Sequence, residues 1–154
     1  MKEKSKVLII DDNKNMLETL ADVLEEKGYE IVTARTALEG IQAAQKCFFN
    51  IALIDINLPD RTGIELLRRF KSTYPSRINI IITATATLKY AVDAVNLGAD
   101  AYMLKPIDLI KLDQTMKECL GKQQKTLKAT EERLNEFMAS ATEEESTSQD
   151  ETKD

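Results

Sequence analysis

The 154-residue sequence contains no histidine and no tryptophan, and aromatic residues make up only 5% of it. The absence of histidine excludes Ser-His and Cys-His catalysis, histidine-ligated zinc and phosphotransfer from a histidine of this chain. Cys47 and Cys119 lack CxxC spacing, which favours reduced, structural thiols over a metal site or a redox pair. Any chemistry here must therefore use carboxylates, hydroxyls and lysine.

Long apolar segments are also missing. The longest apolar runs, residues 7–10 and 80–82, are far too short to cross a bilayer, and no signal-peptide pattern follows the charged first residues. We therefore expect a soluble cytoplasmic protein. The formal net charge of -5 arises almost wholly after residue 138, so the remainder is near neutral and lacks the basic surface of a nucleic-acid binder.

Five apolar, strand-like runs alternate with stretches in which apolar residues recur at helical spacing. This alternation predicts an α/β fold, in which a parallel sheet carries helices on both faces. The first, third and fourth runs are apolar throughout, as in buried central strands, whereas the second and fifth contain polar residues, as in edge strands. The pattern favours the doubly wound strand order 2-1-3-4-5, with its switch point between strands one and three. The predicted strands cover residues 7–10, 29–34, 51–54, 78–82 and 101–104.

The fifth predicted helix ends at Gly121, and a further helical pattern follows it. Leu120, Leu127 and Leu134 recur every seven residues, but polar residues between them weaken the coiled-coil pattern. A coiled coil, a solvated helix and an extension of the preceding helix all remain open. The last residues are rich in Ser, Thr and Glu and are predicted to be disordered. The expected organisation is a domain at 1–121, a helical extension at 122–138 and an acidic disordered tail at 139–154.

Polar residues follow four of the predicted strands, at the edge where ligands bind in open parallel sheets. Asp11 and Asp12 follow the first strand, and Asp55 follows the third. Thr83 follows the fourth strand and Lys105 follows the fifth. Each residue alone has an ordinary explanation, such as a helix cap or a strand-end hydroxyl. Their joint occurrence at one edge instead favours a binding site.

Three carboxylates in one crevice repel each other, by roughly 4 kcal/mol for two unit charges about 4 Å apart at an effective dielectric constant of about 20. One lysine is too little compensation, so a divalent cation is expected. Oxygen ligands without imidazole or thiolate favour Mg²⁺, with Mn²⁺ as a permissible substitute. One carboxylate then remains available as a nucleophile, and formation of an aspartyl phosphate is a recognised use of such a group.

The ordered set Asp11–Asp12, Asp55, Thr83–Ala84 and Lys105–Pro106 closely resembles the receiver domain of response regulators in two-component signalling. The resemblance covers about residues 5–120 and implies the flavodoxin-like receiver fold. It implies that the chain is a signalling switch, which catalyses only its own phosphorylation and dephosphorylation, and is not otherwise an enzyme.

The resemblance also implies how the acidic residues divide their roles. Asp55 would accept the phosphoryl group and also contact the metal. Asp12 would bind Mg²⁺ directly, Asp11 would hold it largely through water, and the backbone carbonyl of Asn57 would complete the protein's ligands. By the same resemblance, Asn57 and Thr85 would influence how fast the phosphate hydrolyses.

The phosphoryl oxygens would be contacted by Lys105, the Thr83 hydroxyl and Ala84. Pro106 restricts Lys105 to extended conformations, and the resemblance implies a cis peptide bond between the two. Thr83 would move to the phosphate and Tyr102 would fill the space it leaves, which would alter the face made by helix four, strand five and helix five. The alternative is an edge-strand tyrosine that only packs.

Since the chain has no histidine, its phosphoryl group is expected to come from a histidine kinase or a histidine phosphotransfer protein. We expect a stand-alone receiver that signals to an unidentified protein target, because no second apolar core, helix-turn-helix or ATPase loop follows Gly121. Homodimerisation through the extension is left open, and no binding to nucleic acid or membrane is expected.

Two other functions compete with this one. A phosphatase of the haloacid-dehalogenase type needs a second acid two residues after the nucleophile, and Asn57 occupies that position. A binding module that works without phosphorylation usually lacks one of the acids, the hydroxyl or the lysine, and none of them is missing here.

Overall fold

Five strands and five helices alternate along the chain, as the sequence predicts. The computed structural model describes residues 3–85 and 87–151, with side chains described as far as residue 141. Each strand lies within one residue of its predicted bounds. The elements are β1 (Lys6–Ile10), α1 (Lys14–Glu26), β2 (Glu30–Ala34), α2 (Ala37–Lys46), β3 (Ile51–Ile54), α3 (Gly63–Thr73), β4 (Ile78–Thr83), α4 (Leu88–Asn96), β5 (Ala101–Leu104) and α5 (Leu109–Glu151).

The strands form one parallel sheet in the order β2-β1-β3-β4-β5, which confirms the predicted doubly wound fold. β1 lies between β2 and β3, so the direction of winding reverses between β1 and β3. The register pairs Ile10 with Ile54, the last residues of these two strands. The residues that follow them, Asp11 and Asp55, therefore leave the sheet side by side.

Alternate side chains of the central strands enter two separate cores, one on each face of the sheet. In β1, Leu8 and Ile10 contribute to the core covered by α2, α3 and α4, whereas Val7 and Ile9 contribute to the core covered by α1 and the start of α5. Because the central strands are buried on both faces, they are apolar at consecutive positions rather than alternating. Helix residues buried in the two cores include Leu17, Leu24, Ile41, Leu67, Phe70, Leu112 and Met116.

Four helices begin with the same device just beyond a strand. The side chains of Asn13, Thr36, Thr62 and Thr87 each accept a hydrogen bond from the backbone N–H three residues later. Such caps satisfy N–H groups that have no partner within the helix. The helices therefore start at the carboxyl edge of the sheet, on the side where Asp11 and Asp55 lie.

The chain divides into two compact units between Leu120 and Gly121. We call them the N-terminal unit and the C-terminal extension. The helix end predicted at Gly121 is wrong, because α5 runs through this residue to Glu151. Gly121 has no positive φ, unlike Gly28 and Gly98, so it does not adopt a helix-terminating conformation. A glycine inside a helix costs only about 1 kcal/mol relative to alanine, and good helix formers flank this one.

The structure also differs from the prediction of a disordered tail from residue 139. The backbone is helical through Glu151, while residues 152–154 lie outside the described residues. Alanines and glutamates, which are frequent up to residue 145, have high helix propensity. The lack of aromatic residues indicates that this segment has no core of its own, but it does not prevent a helix from forming.

Two smaller findings bear on the expectations from composition. Among the described residues, no helix combines the length and the apolar character that crossing a membrane requires. Neither cysteine forms a disulfide, and Cys119 packs against the core of the N-terminal unit. Cys47 is exposed, so the prediction of a structural, packed thiol does not fit this residue.

Candidate functional site

The ends of three strands bring two carboxylates and an ammonium group together. Asp11 follows β1, Asp55 follows β3 and Lys105 follows β5. The Lys105 Nζ lies 2.7 Å from Asp11 Oδ2 and 2.9 Å from Asp55 Oδ2, so it forms an ion pair with both carboxylates. These contacts join residues that are 94 and 50 positions apart in the sequence, and the convergence predicted from the strand ends is present.

Three carboxylates at this edge could share a metal ion. Asp11, Asp12 and Asp55 each offer an oxygen, and these oxygens all lie within 4.8 Å of one another. Asp11 and Asp55 are buried, whereas Asp12 is exposed. The donor set consists of hard oxygens without histidine or thiolate, which fits Mg²⁺ or another hard divalent cation.

The second oxygen of each buried carboxylate is held by the backbone of the following loop. Asp11 Oδ1 accepts a hydrogen bond from the Asn13 N–H at 2.9 Å, and Asp55 Oδ1 accepts one from the Asn57 N–H at 3.0 Å. Each carboxylate therefore has one oxygen bound to the backbone and the other directed to Lys105. These bonds fix the orientation of both acids before any ligand binds.

Burial and ion pairing act in opposite directions on the charges of this site. Burial raises the pKa of the Asp55 carboxyl, although the hydrogen bonds from Lys105 and the Asn57 N–H oppose the rise. Burial acts to lower the pKa of Lys105, but its hydrogen bonds to Asp11 and Asp55 outweigh burial, and this pKa is raised. The lysine thus stays charged, and the excess of acids over bases favours binding of a cation.

A glycine that the sequence analysis missed lets the chain pass close to Asp55. The Gly63 N–H donates to the Ile56 carbonyl at 2.8 Å, which closes the loop between β3 and α3. A Cβ at Gly63 would overlap the backbone carbonyl of Asp55, so only glycine fits. The available signal was a glycine at the start of a helix directly after its threonine cap, rather than at a helix end.

Thr83 ends β4 and is fully buried. Its Oγ1 accepts a hydrogen bond from the Thr85 N–H at 3.2 Å, while Ala84, at the turn between them, is exposed. The Asn57 side-chain amide donates to Thr85 Oγ1 at 2.7 Å and so links the loop after β3 to the loop after β4. The two residues predicted to influence phosphate hydrolysis are therefore in direct contact.

Tyr102 lies on the edge strand β5 and is partly buried against the core on the α4 side. Its hydroxyl donates a hydrogen bond of 3.5 Å to the Thr85 backbone carbonyl, and burial raises its pKa. The tyrosine therefore contacts the same turn that follows Thr83. The Lys105–Pro106 peptide bond is cis, as the resemblance implied.

Comparisons with known proteins agree with this geometry. The family model for the response regulator receiver domain matches residues 7–117. The transcriptional regulatory protein ZraR of Klebsiella oxytoca is 32% identical over 119 residues, which are 77% of this chain and 27% of ZraR. This chain spans about a quarter to a half of the length of the curated relatives that it matches.

Two solved structures show the same likeness. A CheY-like receiver domain protein from Methanospirillum hungatei is 40% identical, with a TM-score of 0.79, over 80% of this chain and 99% of that one. The beryllofluoride-activated NtrC4 receiver domain, solved as a dimer, is 29% identical with a TM-score of 0.73, over 77% of this chain and 98% of that one. With the family match over residues 7–117, the doubly wound sheet and the acidic cluster at its switch point, this chain belongs to the response regulator receiver domain family of two-component systems.

Proposed function

We propose that this chain accepts a phosphoryl group on Asp55, in a Mg²⁺-dependent reaction, from a histidine kinase or a histidine phosphotransfer protein. The observation that carries the proposal is the pair of contacts from Lys105 Nζ to Asp11 and Asp55, next to the exposed carboxylate of Asp12. This arrangement places a nucleophilic oxygen, a fixed positive charge and a candidate metal site in one crevice.

In this reaction, an Asp55 carboxylate oxygen attacks the phosphorus of a phosphohistidine. A P–O bond forms, the P–N bond breaks, and the released imidazole takes up a proton. Phosphoryl transfer depends mainly on positioning and on neutralising charge. Asp55 is oriented for attack by the Asn57 N–H, and Lys105 is already within hydrogen-bonding distance of the acceptor. Lys105, the Thr83 hydroxyl and the turn at Ala84 are the proposed contacts of the phosphoryl oxygens.

Asp11, Asp12, Asp55 and the backbone carbonyl of Asn57 are the proposed ligands of Mg²⁺, with Mn²⁺ as a substitute. The bound ion would supply positive charge beside the acceptor. The proposal is supported by the spacing of the three carboxylates and by the Asn57 N–H bond to Asp55, which holds the Asn57 backbone beside them.

We also propose that phosphorylation changes the face made by α4, β5 and α5, through which the chain binds a protein target. Thr83 and Tyr102 are the proposed switch residues, and both contact Thr85. Large apolar side chains are already exposed on this face, which suits binding to a protein. They are Leu88, Val92, Val95, Leu104 and Ile110. A cytoplasmic location is part of this proposal, because the donor kinases act there.

The phosphorylation proposal is tested by incubating the protein with acetyl phosphate and Mg²⁺ and measuring its intact mass. We expect a gain of one phosphate, its loss when Mg²⁺ is chelated, and no gain in Asp55→Asn. Asp113→Asn is the matched control, because Asp113 is another buried aspartate of the N-terminal unit but lies outside the acidic cluster. Phosphate incorporation into Asp55→Asn would contradict the proposal.

The same experiment separates the two competing functions. A binding module that works without phosphorylation would gain no mass. A phosphatase would turn over an aryl phosphate, which we expect this chain not to do, because Asn57 cannot donate and retrieve a proton as the required acid would.

Self-association is a second proposal about partners. The C-terminal extension exposes large apolar side chains, at Leu127, Leu134, Phe137 and Met138. We expect sedimentation of the full chain to show a larger fraction of dimer than a chain ending at Leu120. Equal sedimentation behaviour, in both the phosphorylated and unmodified forms, would contradict a role of the extension in dimer formation.

A further inference from the structure

The start of α2 is held by a carboxylate from a different loop. Asp60 Oδ1 accepts a hydrogen bond from the Ala37 N–H, and Asp60 Oδ2 accepts one from the Leu38 N–H, both at 2.9 Å. Asp60 lies 23 and 22 positions further along the chain, in the loop between β3 and α3. The hydrogen bonds lower the pKa of its carboxyl, so the group is charged at neutral pH.

These two bonds complete the cap of α2. The first N–H groups of a helix have no partner within it. Thr36 Oγ1 already accepts from the Glu39 N–H at 3.0 Å, and the Glu39 carboxylate accepts from the Arg35 N–H at 2.8 Å. Only the N–H groups of the first two helical residues remain, and Asp60 binds both. Its negative charge also interacts favourably with the positive end of the helix dipole.

The other end of the same short loop carries the proposed metal-site carbonyl. Asn57 lies three residues before Asp60, and the rigid ring of Pro59 lies between them. The Asn57 N–H binds Asp55, its side chain binds Thr85, and an isolated bridge pairs Asn57 with Thr62. The loop is thus fixed near the site at Asn57 and on its far side at Asp60.

We infer that Asp60 is a positioning residue: by binding the first turn of α2, it fixes the path of the loop that presents the Asn57 backbone carbonyl to the metal. The inference rests on the proposed Mg²⁺-dependent function. Asp60 is not among the three clustered carboxylates and acts only through the backbone of its loop.

The test compares Asp60→Ala with a matched control, Asp100→Ala. Asp100 performs the same chemistry elsewhere, because its Oδ2 accepts the Asn79 N–H at 2.8 Å near the start of β4, the opposite end of this strand from Thr83. Calorimetric titration with Mg²⁺ measures the affinity of each full-length protein. We expect an affinity about tenfold weaker for Asp60→Ala, the lower end of the range for groups that orient metal ligands. Asp100→Ala should keep the wild-type affinity.

A second readout needs no metal. In ¹⁵N-correlation spectra of the metal-free proteins, Asp60→Ala should shift the Asn57 amide signal and speed its hydrogen exchange, while Asp100→Ala should leave it unchanged. Asp60→Asn keeps one strong acceptor oxygen and should give intermediate Mg²⁺ affinity. A purely structural role would lower the stability of Asp60→Ala without moving the Asn57 signal or the Mg²⁺ affinity.

The outcomes distinguish this inference from the proposed function. If the wild type binds Mg²⁺ and Asp60→Ala binds it as tightly, the inference is overturned and the proposed function stands. The inference is likewise overturned, and the proposed function again stands, if Asp60→Ala and Asp100→Ala weaken binding equally. If the wild type fails to bind Mg²⁺, the proposed function is overturned and the inference falls with it.

Discussion

The two compact units of this chain use their apolar side chains in opposite ways. In the N-terminal unit, Leu67 on α3 and Ile54 on β3 are 0% exposed. In the C-terminal extension, Leu134 is 55% exposed and Phe137 is 71% exposed. One unit therefore contains a dense core, whereas the apolar side chains of the other remain available for contacts.

This difference explains why the candidate site lies in the N-terminal unit. Holding Asp11, Asp55 and Lys105 within 3 Å contacts requires strands of fixed register, and only a packed core provides that rigidity. A helix without a core depends on local propensity, and most helices in proteins gain their stability from packing. The extension thus suits a conditional contact with a partner rather than chemistry.

The largest effect should come from removing a core side chain, which tests the contrast directly. We expect Leu67→Ala to lower the free energy of unfolding by about 3 kcal/mol and Leu134→Ala by less than about 0.5 kcal/mol. All four tyrosines precede residue 121, so tyrosine fluorescence during urea unfolding reports on the N-terminal unit. Equal losses in the two variants would show that the extension contributes to the same cooperative core.

The next effect concerns charge. Lys105→Ala should slow phosphorylation by acetyl phosphate about 100-fold, because removing one preorganised donor to developing charge has this order of cost. Lys125→Ala, in the exposed part of the extension, should leave the rate unchanged. Rates are measured from intact mass at successive times. A slow Lys125→Ala variant would mean that the extension takes part in the reaction.

A smaller effect should come from the buried hydrogen bond between Tyr29 and Asp113, which joins the start of β2 to α5. The Tyr29 hydroxyl donates to Asp113 Oδ1 at 3.2 Å, and burial, together with the charge and hydrogen bond of Asp113, raises the pKa of Tyr29 to about 12. Tyr29→Phe should cost about 1.5 kcal/mol at neutral pH, as for a hydrogen bond to a charged group.

The pH dependence of this bond has a defined sign. An unfolded tyrosine has a pKa of about 10, so the raised value means that the folded protein prefers the neutral hydroxyl. The stabilisation is complete below pH 10 and is lost as the pH rises toward 12. Urea titrations across this range should show a steeper loss of stability in the wild type than in Tyr29→Phe. Parallel curves for the two proteins would contradict this role.

The smallest effect lies at the boundary between the two units. Gly121 is helical and has open space where a Cβ would be placed. Gly121→Ala should therefore raise helix content and stabilise α5 by at most about 1 kcal/mol. Far-UV circular dichroism measures this gain. A loss of helix in Gly121→Ala would instead indicate the helix-terminating glycine that the sequence pattern predicts.

Most of the fold could be predicted from the sequence, because its signals are local. The five apolar runs and the polar residues in the second and fifth of them predicted the strand order that the structure confirms. The same reasoning failed at Gly121 and beyond residue 139, where composition was taken to end the helix and the structure continues it. Glycine and polar composition indicate tendencies of about 1 kcal/mol per residue, which neighbouring residues can outweigh.

The candidate site divides in the same way. Asp11, Asp12, Asp55 and Lys105 could be identified because each stands directly after a strand, and the ends of parallel strands meet at one edge. Asp60 could not, because its partners on α2 lie more than 20 positions away and no pattern links them.

By itself, the sequence determined which residues form strands, which strands are central and which polar side chains stand at their ends, since these follow from periodicity and chain order. Only the tertiary structure decided which oxygen of each carboxylate binds Lys105, why Gly63 must lack a side chain, and how the Asn57 loop is tied to α2. These features depend on distances between residues that are remote in the sequence, and such distances are set by packing and register rather than by local propensity.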